Sequence, residues 1–170
     1  MSELAGRRIV VSGASSGIGA AVATRCVRAG ARVALLGRRA EALEELGAGL
    51  AGSVALPVDV TDHQASALAV DSAAEHLGGI DGLVNVAGIN RAGPFADGDP
   101  AHWEEMLATN VLATMVMTQH VLPHLRQAAG DVVTIGSAAA SGDRSGTSAV
   151  YAATKAAGEV WSASLDRKSV

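Results

Sequence analysis

Short apolar runs alternate along this chain with longer stretches whose apolar positions recur every three or four residues. Arg8-Ile9-Val10-Val11, Val33-Ala34-Leu35-Leu36, Val54-Ala55-Leu56, Gly82-Leu83-Val84-Asn85-Val86 and Val132-Val133-Thr134-Ile135 read as strands. Helical patterns lie between them. The first runs from Ile18 to Ala29, and the second carries Leu43, Leu46 and Leu50 at helical spacing. Thr61 and Gln64 form a capping-box pattern that predicts the start of a third. Asp99 as N-cap and Pro100 as first residue open a long helix through Trp103, Leu107, Val111 and Met115, which Pro123 is expected to bend or end. A last helix holds Tyr151 and Lys155.

Strand and helix in alternation, with continuously apolar strands, predict an α/β fold. The expected architecture is a Rossmann-like, doubly wound parallel sheet of about five strands, covered on both faces. No internal repeat, low-complexity tract or linker interrupts the pattern, so residues 1–170 read as a single nucleotide-binding domain. In such a sheet the loops at the carboxyl ends of the strands share one edge, where ligands bind. The loops after the first, fourth and fifth strands are rich in Gly and Ser.

Composition changes this picture in a few respects. The chain has 170 residues, 49% hydrophobic and 18% charged, which is globular. Aromatic residues are only 2%, so the core must be built from Val, Leu, Ile and Ala. The net charge is -4 and no Lys/Arg cluster is long enough to suggest nucleic-acid binding. No signal peptide or membrane span is expected, because no sufficiently long apolar segment exists. Cys26 is the only thiol and cannot form an internal disulfide, which suits the reducing cytoplasm. It reads as a small core residue among Ala21, Val22 and Val27. His120 and His124 have the spacing of a metal pair but no third ligand, so they read as one helix face and no metal is expected. His63, His76 and His102 carry no pattern. Trp103 and Trp161 read as packing residues.

The chemistry begins at Ser12-Gly13-Ala14-Ser15-Ser16-Gly17-Ile18-Gly19. Its G-x-x-x-G-x-G spacing differs from G-x-G-x-x-G, but the physics is shared. Glycines allow a tight turn and close approach of a phosphate to the backbone. The following helix points its free N–H groups and positive dipole end at the anion, and Ser15 and Ser16 add hydroxyls. At the end of the second strand an NAD site usually places an acid for the ribose 2′-OH. Here Gly37 is followed by Arg38 and Arg39, which suit a 2′-phosphate and favour NADP(H) over NAD(H). A solvated arginine pair at a helix start is the competing reading. Tyr151 and Lys155 stand four residues apart, on one helix face. An ammonium beside a phenol favours the phenolate, making a proton donor and acceptor suited to neutral pH.

Together these features resemble the short-chain dehydrogenase/reductase family. The match lies in the Gly13, Gly17 and Gly19 loop, Asp59-Val60 after the third strand, and Asn85-Val86-Ala87-Gly88 after the fourth. It continues in Asn110 of the long helix and in Ser137 followed by Tyr151 and Lys155. The resemblance covers roughly residues 5–167. It implies that Gly13, Ser15, Gly17, Ile18 and Gly19 contact cofactor phosphates and ribose, and that Arg38, helped by Arg39, meets the 2′-phosphate. Asp59 and Val60 would flank the adenine, and Asn85, Ala87 and Gly88 would line the wall toward the nicotinamide. Asn110, Ser137, Tyr151 and Lys155 would be the catalytic set. Tyr151 would protonate a carbonyl oxygen that Ser137 holds, Lys155 would hold the nicotinamide ribose, and Asn110 would bind a water connecting Lys155 to solvent.

Departures from the family pattern are few. Val86 stands where many members have a second Asn, and the loop Ala138–Val150 is slightly long. Members continue past the last helix into further strands, whereas this chain stops at Asp166-Arg167-Lys168-Ser169-Val170. The resemblance therefore implies missing C-terminal strands and a fifth strand left as an exposed edge. The expected function is interconversion of a carbonyl and a secondary alcohol, on a small-molecule substrate and with a homo-oligomer left open. The alternative is a truncated, non-catalytic nucleotide-binding or interaction protein. A methyltransferase on a similar sheet fits worse, because Asn110, Ser137, Tyr151 and Lys155 follow in order. Asp81 reads either as an adenine-pocket residue or as a turn or cap. Asp143, Arg144, Ser145 and Thr147 lie in the loop before Tyr151, within reach of a substrate or simply solvated.

Overall fold

The computed structural model describes residues 3–142 and 149–165. Asp143, Arg144, Ser145 and Thr147, and the terminal run from Asp166 to Val170, lie outside the described residues. Five strands form one parallel sheet among the described residues: β1 (Arg8–Ser12), β2 (Arg32–Gly37), β3 (Ser53–Pro57), β4 (Gly82–Asn85) and β5 (Asp131–Thr134). Their order is β3-β2-β1-β4-β5. The chain winds outward from β1 to β3, then crosses back to β4 on the other side of β1. This reversal puts a crevice between the carboxyl ends of β1 and β4.

The period-two geometry of a strand splits the apolar runs between two cores. Ile9, Val11, Val33 and Leu35 face Ala23, Cys26 and Leu43, on the side of α1 (Gly17–Arg28) and α2 (Ala40–Ala48). Val10, Ala34, Leu36 and Leu83 face Val70, Leu77, Met117, Val121 and Leu125, on the side of α3 (His63–Leu77) and α5 (Ala113–Ala128). Leu35, Leu36, Leu43 and Leu83 are fully buried, and each such side chain contributes about 1.5–3 kcal/mol. An aliphatic core therefore suffices without aromatics. Cys26 is buried in the first core as expected, and burial pushes its thiol pKa up. Beyond α5 the chain forms β5 and then α6 (Ala149–Ser164), which packs against β5 and α4 (Pro100–Leu107). β5 lies at the sheet edge, with Val133 half exposed.

Several local expectations are corrected. The cap of α3 is Asp62, whose carboxylate accepts from the Ala65 N–H at 2.9 Å. Thr61 instead donates its N–H and hydroxyl to Asp59. Leu50 falls two residues past the end of α2 but is still buried. Pro123 does not end its helix, since α5 continues to Ala128. The carbonyl that would have bonded a residue at that position belongs to exposed Gln119, where water can satisfy it. The long helix opens at Asp99 and Pro100 as expected, but a π-helical turn, Ala108–Leu112, divides α4 from α5. Asp81 is not near any adenine pocket. It sits just before β4 at the amino edge of the sheet, where it accepts from the Arg8 backbone N–H and side chain.

Candidate active site

The loop between β1 and α1 forms the floor of a groove of about 700 Å³ at the carboxyl edge of the sheet. Gly13 has φ +68°, and a Cβ there would lie 2.8 Å from the Ala87 N and Cα atoms. A side chain on Gly19 would overlap the Gly13 carbonyl. These two glycines let the first turn of α1 and the loop after β4 close on each other. Gly17 differs. Its φ is +53°, and a Cβ would meet nothing within 4 Å, because it would point into open space. At α3 and α4, Asp62 and Asp99 cap the helix with their carboxylates. At α1, Ser16 makes no such cap, and no acid stands in the first turn. That helix end is left to an external acceptor, which is what a phosphate supplies.

Arg38 and Arg39 line the far wall of the groove beside Asp59, Val60 and Thr61. Their roles differ. Arg39 folds back on the glycine loop and donates to the Ser15 carbonyl at 3.0 Å. Arg38 only approaches Asp59, at 4.0 Å, with both side chains largely in solvent. Burial raises the Asp59 carboxyl pKa, but bonds from the Thr61 N–H and hydroxyl and the Arg38 charge together hold it below its ordinary value. Gly37 is buried, and a side chain there would crowd the Ser15 hydroxyl at 3.3 Å. The residues present therefore fit a dinucleotide. They offer an uncapped helix end, an open glycine cradle and a cation with room to turn.

At the other end of the edge, one hydrogen-bond network joins three segments. Asn110, on the π-helical turn, is buried. Its Oδ1 accepts from the Ile89 N–H at 2.8 Å, and its Nδ2 donates to the Ile89 carbonyl at 2.9 Å and to Thr154 Oγ1 at 3.0 Å. Thr154, fully buried on α6, donates in turn to the Tyr151 carbonyl at 2.7 Å. A π turn widens the helix locally and often marks a functional position. Here it turns an amide toward both the β4 loop and α6. Lys155 lies one turn after Tyr151, with Nζ 5.9 Å from the phenol ring centre. Its ammonium donates to the Ile135 carbonyl at 2.9 Å, and burial pushes its pKa down. Ser137 caps a short 3-10 turn, Ala138–Ser141, where its Oγ accepts from the Ala139 N–H at 3.2 Å. That bond uses a lone pair and leaves the hydroxyl proton to donate.

Gly13, Ser15, Ser16, Gly17, Ile18, Gly19, Arg38, Arg39, Asp59, Val60, Ala87 and Gly88 all line the groove. Asn85 does not. It is buried at the end of β4 and donates to Thr118 Oγ1 at 3.1 Å, so Val86 takes its place on the wall. Lys155, Asn110 and Asn85 instead border a second cavity of about 200 Å³, together with Glu159 and two buried hydroxyls, Thr134 and Ser162, that have no protein partner.

With this geometry in place, the comparisons with known proteins become specific. The sequence profile of the family described as short chain dehydrogenase matches residues 7–169. The chain belongs to the short-chain dehydrogenases. They are a family of oxidoreductases acting on CH–OH groups with a nicotinamide dinucleotide. Gluconate 5-dehydrogenase of Gluconobacter oxydans is 38% identical over 161 residues, covering 91% of this chain and 62% of that enzyme. D-threitol dehydrogenase of Mycolicibacterium smegmatis is 36% identical over 135 residues, 77% of this chain and 52% of that enzyme. The crystal structure of a short-chain dehydrogenase from Burkholderia cenocepacia in complex with NADP superposes with a TM-score of 0.91 at 38% identity. That match covers 97% of this chain and 69% of the neighbour. The chain thus spans between half and about two thirds of these relatives. No helix among the described residues is long and apolar enough to cross a membrane.

The sequence reading missed Thr154, which links Asn110 to the Tyr151 turn. The one signal was a polar residue at an interior position of an apolar helix face. It also missed Glu105 and Thr109 on the groove wall; Thr109 lies in the π turn, where ordinary helical periodicity does not hold.

Proposed function

We propose that this chain is an NADP(H)-dependent oxidoreductase that interconverts a carbonyl compound and a secondary alcohol, with Tyr151 as general acid and base. The observation that carries the proposal is the joint placement, at one sheet edge, of an uncapped helix end with a glycine cradle and of the Tyr151–Lys155 pair braced through Asn110 and Thr154.

Gly13, Ser15, Ser16, Gly17, Ile18 and Gly19 would hold the dinucleotide phosphates at the end of α1. Asp59 and Val60 would border the adenine, and Ala87 and Gly88 the path to the nicotinamide. Arg38 would turn from Asp59 to a 2′-phosphate, with Arg39 supporting the loop from behind. The bound dinucleotide supplies or accepts the hydride. Everything else falls to the chain. Ser137 would donate its hydroxyl proton to the substrate oxygen, where negative charge develops. Tyr151 would deliver the proton to that oxygen in reduction and remove it in oxidation. Lys155 would sit beside both, its charge placed by the Ile135 carbonyl. Replacement protons would come through the cavity behind Lys155. It has room for water and two hydroxyls that need partners.

The test is a fluorescence titration of the purified chain with NADPH and with NADH, followed by turnover on a panel of carbonyl compounds. Tighter NADPH binding and consumption of NADPH with any panel member are expected. Binding of neither dinucleotide would overturn the proposal.

A further inference from the structure

A smaller cavity of about 180 Å³ opens beside Tyr151, apart from the cofactor groove. One wall is a stacked aromatic pair. Phe95, on a short 3-10 turn after β4, lies parallel to Trp103 of α4, with ring centres 5.0 Å apart and planes 2° apart. These are two of the four aromatic residues in the chain, and Tyr151, on the same lining, is a third. The only phenylalanine of the sequence is 60% exposed here and not in the core. Gly98 holds the wall in shape, since a Cβ there would lie 2.6 Å from the Trp103 ring. Trp103, read from the sequence as a packing residue, thus stacks on Phe95 and also lines a space beside Tyr151.

The charges on this cavity are arranged unevenly. The one arginine among its described lining residues, Arg91, is already bound at both ends of its fork by Glu105, at 2.9 Å and 2.9 Å. The carboxylates of Asp97 and Asp99 stand on the same lining. Among the described lining residues an anionic substrate would find no free guanidinium, two like charges and one imidazole, His102. A flat uncharged group would find an aromatic surface. The volume also fits, since an apolar cavity of roughly 150 Å³ takes up benzene.

We infer that the cavity between the Phe95–Trp103 pair and Tyr151 is the substrate subsite, and that it takes the flat, apolar flank of an uncharged carbonyl compound or alcohol, an aryl ketone in the simplest case. This rests on the oxidoreductase reading above. It goes beyond that reading in naming the substrate class and the residues that select it.

The experiment uses the full chain carrying Trp161→Phe, so that Trp103 is the one indole reporter. Acetophenone and its charged analogue 4-acetylbenzoate are titrated with and without NADPH, and binding is read from Trp103 fluorescence and from ligand-observed NMR. Acetophenone is expected to quench Trp103, and 4-acetylbenzoate to bind at least about tenfold more weakly. Trp103→Leu should weaken acetophenone about five- to tenfold, and Trp103→Phe should restore most of it. Phe95→Leu gives an independent loss should the Trp103 variant misfold. Absence of quenching, equal binding of the benzoate, or an unchanged affinity in both leucine variants would overturn the subsite. The two readings separate cleanly. Acetophenone quenching in a chain that ignores both dinucleotides would remove the oxidoreductase and leave the aromatic site. NADPH-dependent turnover of aliphatic ketones alone, with Trp103→Leu without effect, would do the reverse.

Discussion

The two edges of the sheet are built on opposite plans. At the amino edge charges tie the elements together. Asp81 accepts from the Arg8 backbone at 2.8 Å and from its guanidinium at 2.5 and 2.8 Å. Arg8 also donates to the Gly78 carbonyl, and Arg32 donates to the His76 and Leu77 carbonyls at 2.6 and 2.7 Å. Two arginines from neighbouring strands thus satisfy the last turn of α3, where orphan carbonyls need donors. Arg7 reaches Asp131 of β5 at 3.0 Å. At the groove end of the carboxyl edge several polar groups are left open. Ser16 makes no side-chain cap, Gly17 faces empty space, and Arg38 holds Asp59 only loosely. One edge meets its own hydrogen-bonding needs, and the groove end of the other leaves a helix end and an arginine without firm partners. Stability and binding are therefore separable by mutation in this fold.

The sharpest test of that separation is Tyr151→Phe, which removes one oxygen at the open edge. Turnover should fall by about 10²–10⁴-fold, the usual worth of a positioned acid or base. NADPH affinity and the denaturation midpoint should stay as in the parent chain. A variant that retains full turnover would remove Tyr151 from the chemistry. One that loses NADPH binding equally would mean the two ends of the edge are not independent.

The opposite edge should give the opposite result. Asp81→Asn leaves Arg8 with a weaker partner in a largely buried setting, where the two side chains are 13% and 29% exposed. The expected cost is about 2–3 kcal/mol in urea denaturation, with NADPH affinity unchanged. The pH dependence has a definite sign. Hydrogen bonding from Arg8 holds the Asp81 carboxyl below its ordinary value, against the opposing effect of burial. The folded state thus binds its proton less readily than the unfolded state does. The stabilisation is complete above the unfolded value of about 4 and is lost as pH falls from there through the folded value. Asp81→Asn should flatten that acid limb. An unchanged limb would place the acid sensitivity elsewhere.

The glycine loop sets the two plans side by side within a few residues. Gly19→Ala forces a Cβ against the Gly13 carbonyl, and overpacking of this kind costs about 1–3 kcal/mol. Gly17→Ala meets no atom, so its cost is the left-handed backbone alone, about 1–2 kcal/mol. Gly17 lines the groove and its added methyl would stand in open space, so NADPH affinity should suffer out of proportion to stability. Thermal denaturation beside NADPH titration distinguishes them. Equal losses in both readouts for both variants would erase the difference between a packing glycine and a cradle glycine.

These differences bear on what the sequence could disclose. Strand positions were legible because the central runs β1, β2 and β4 are largely buried, and the half-buried β3 and exposed-edge β5 still carry continuous apolar runs. The Gly13–Gly19 loop was legible because only glycine meets its steric demands. The helix start at Asp99 was legible because Asp-Pro satisfies the local rules unaided. Thr61 was misread as a cap because Asp62 competes for the same amides, and only geometry decides which carboxylate or hydroxyl reaches them. The π turn was invisible, since Ala108 to Leu112 has ordinary helix composition. With it went the partners of Asn110, which lie 21 and 44 residues away. Asp81 was left open between an adenine-pocket residue and a turn or cap, because its partner Arg8 lies 73 residues away and leaves no trace in local pattern.

Arg38 gives the smallest expected effect and the finest test of the open edge. Its contact with Asp59 is long and largely exposed, and such pairs are worth about 0–1 kcal/mol. Asp59 does not depend on it, being bound by the Thr61 N–H at 3.0 Å and hydroxyl at 2.8 Å. Arg38→Ala should therefore leave the denaturation midpoint almost unchanged. If its guanidinium turns to a 2′-phosphate, NADPH affinity should drop about tenfold while NADH affinity stays put, because a charge-assisted bond to that group is worth about 1.5–3 kcal/mol before screening. The preference for NADPH should also shrink as salt is raised in the parent chain, and hardly at all in the variant. Arg39→Ala makes the contrast internal. Its guanidinium is committed to the Ser15 carbonyl, so its loss should loosen the glycine loop and weaken both dinucleotides alike. Were Arg39→Ala the variant that discriminates between them, the arginine braced against the loop, and not the loosely held one, would be the reader of the 2′ position.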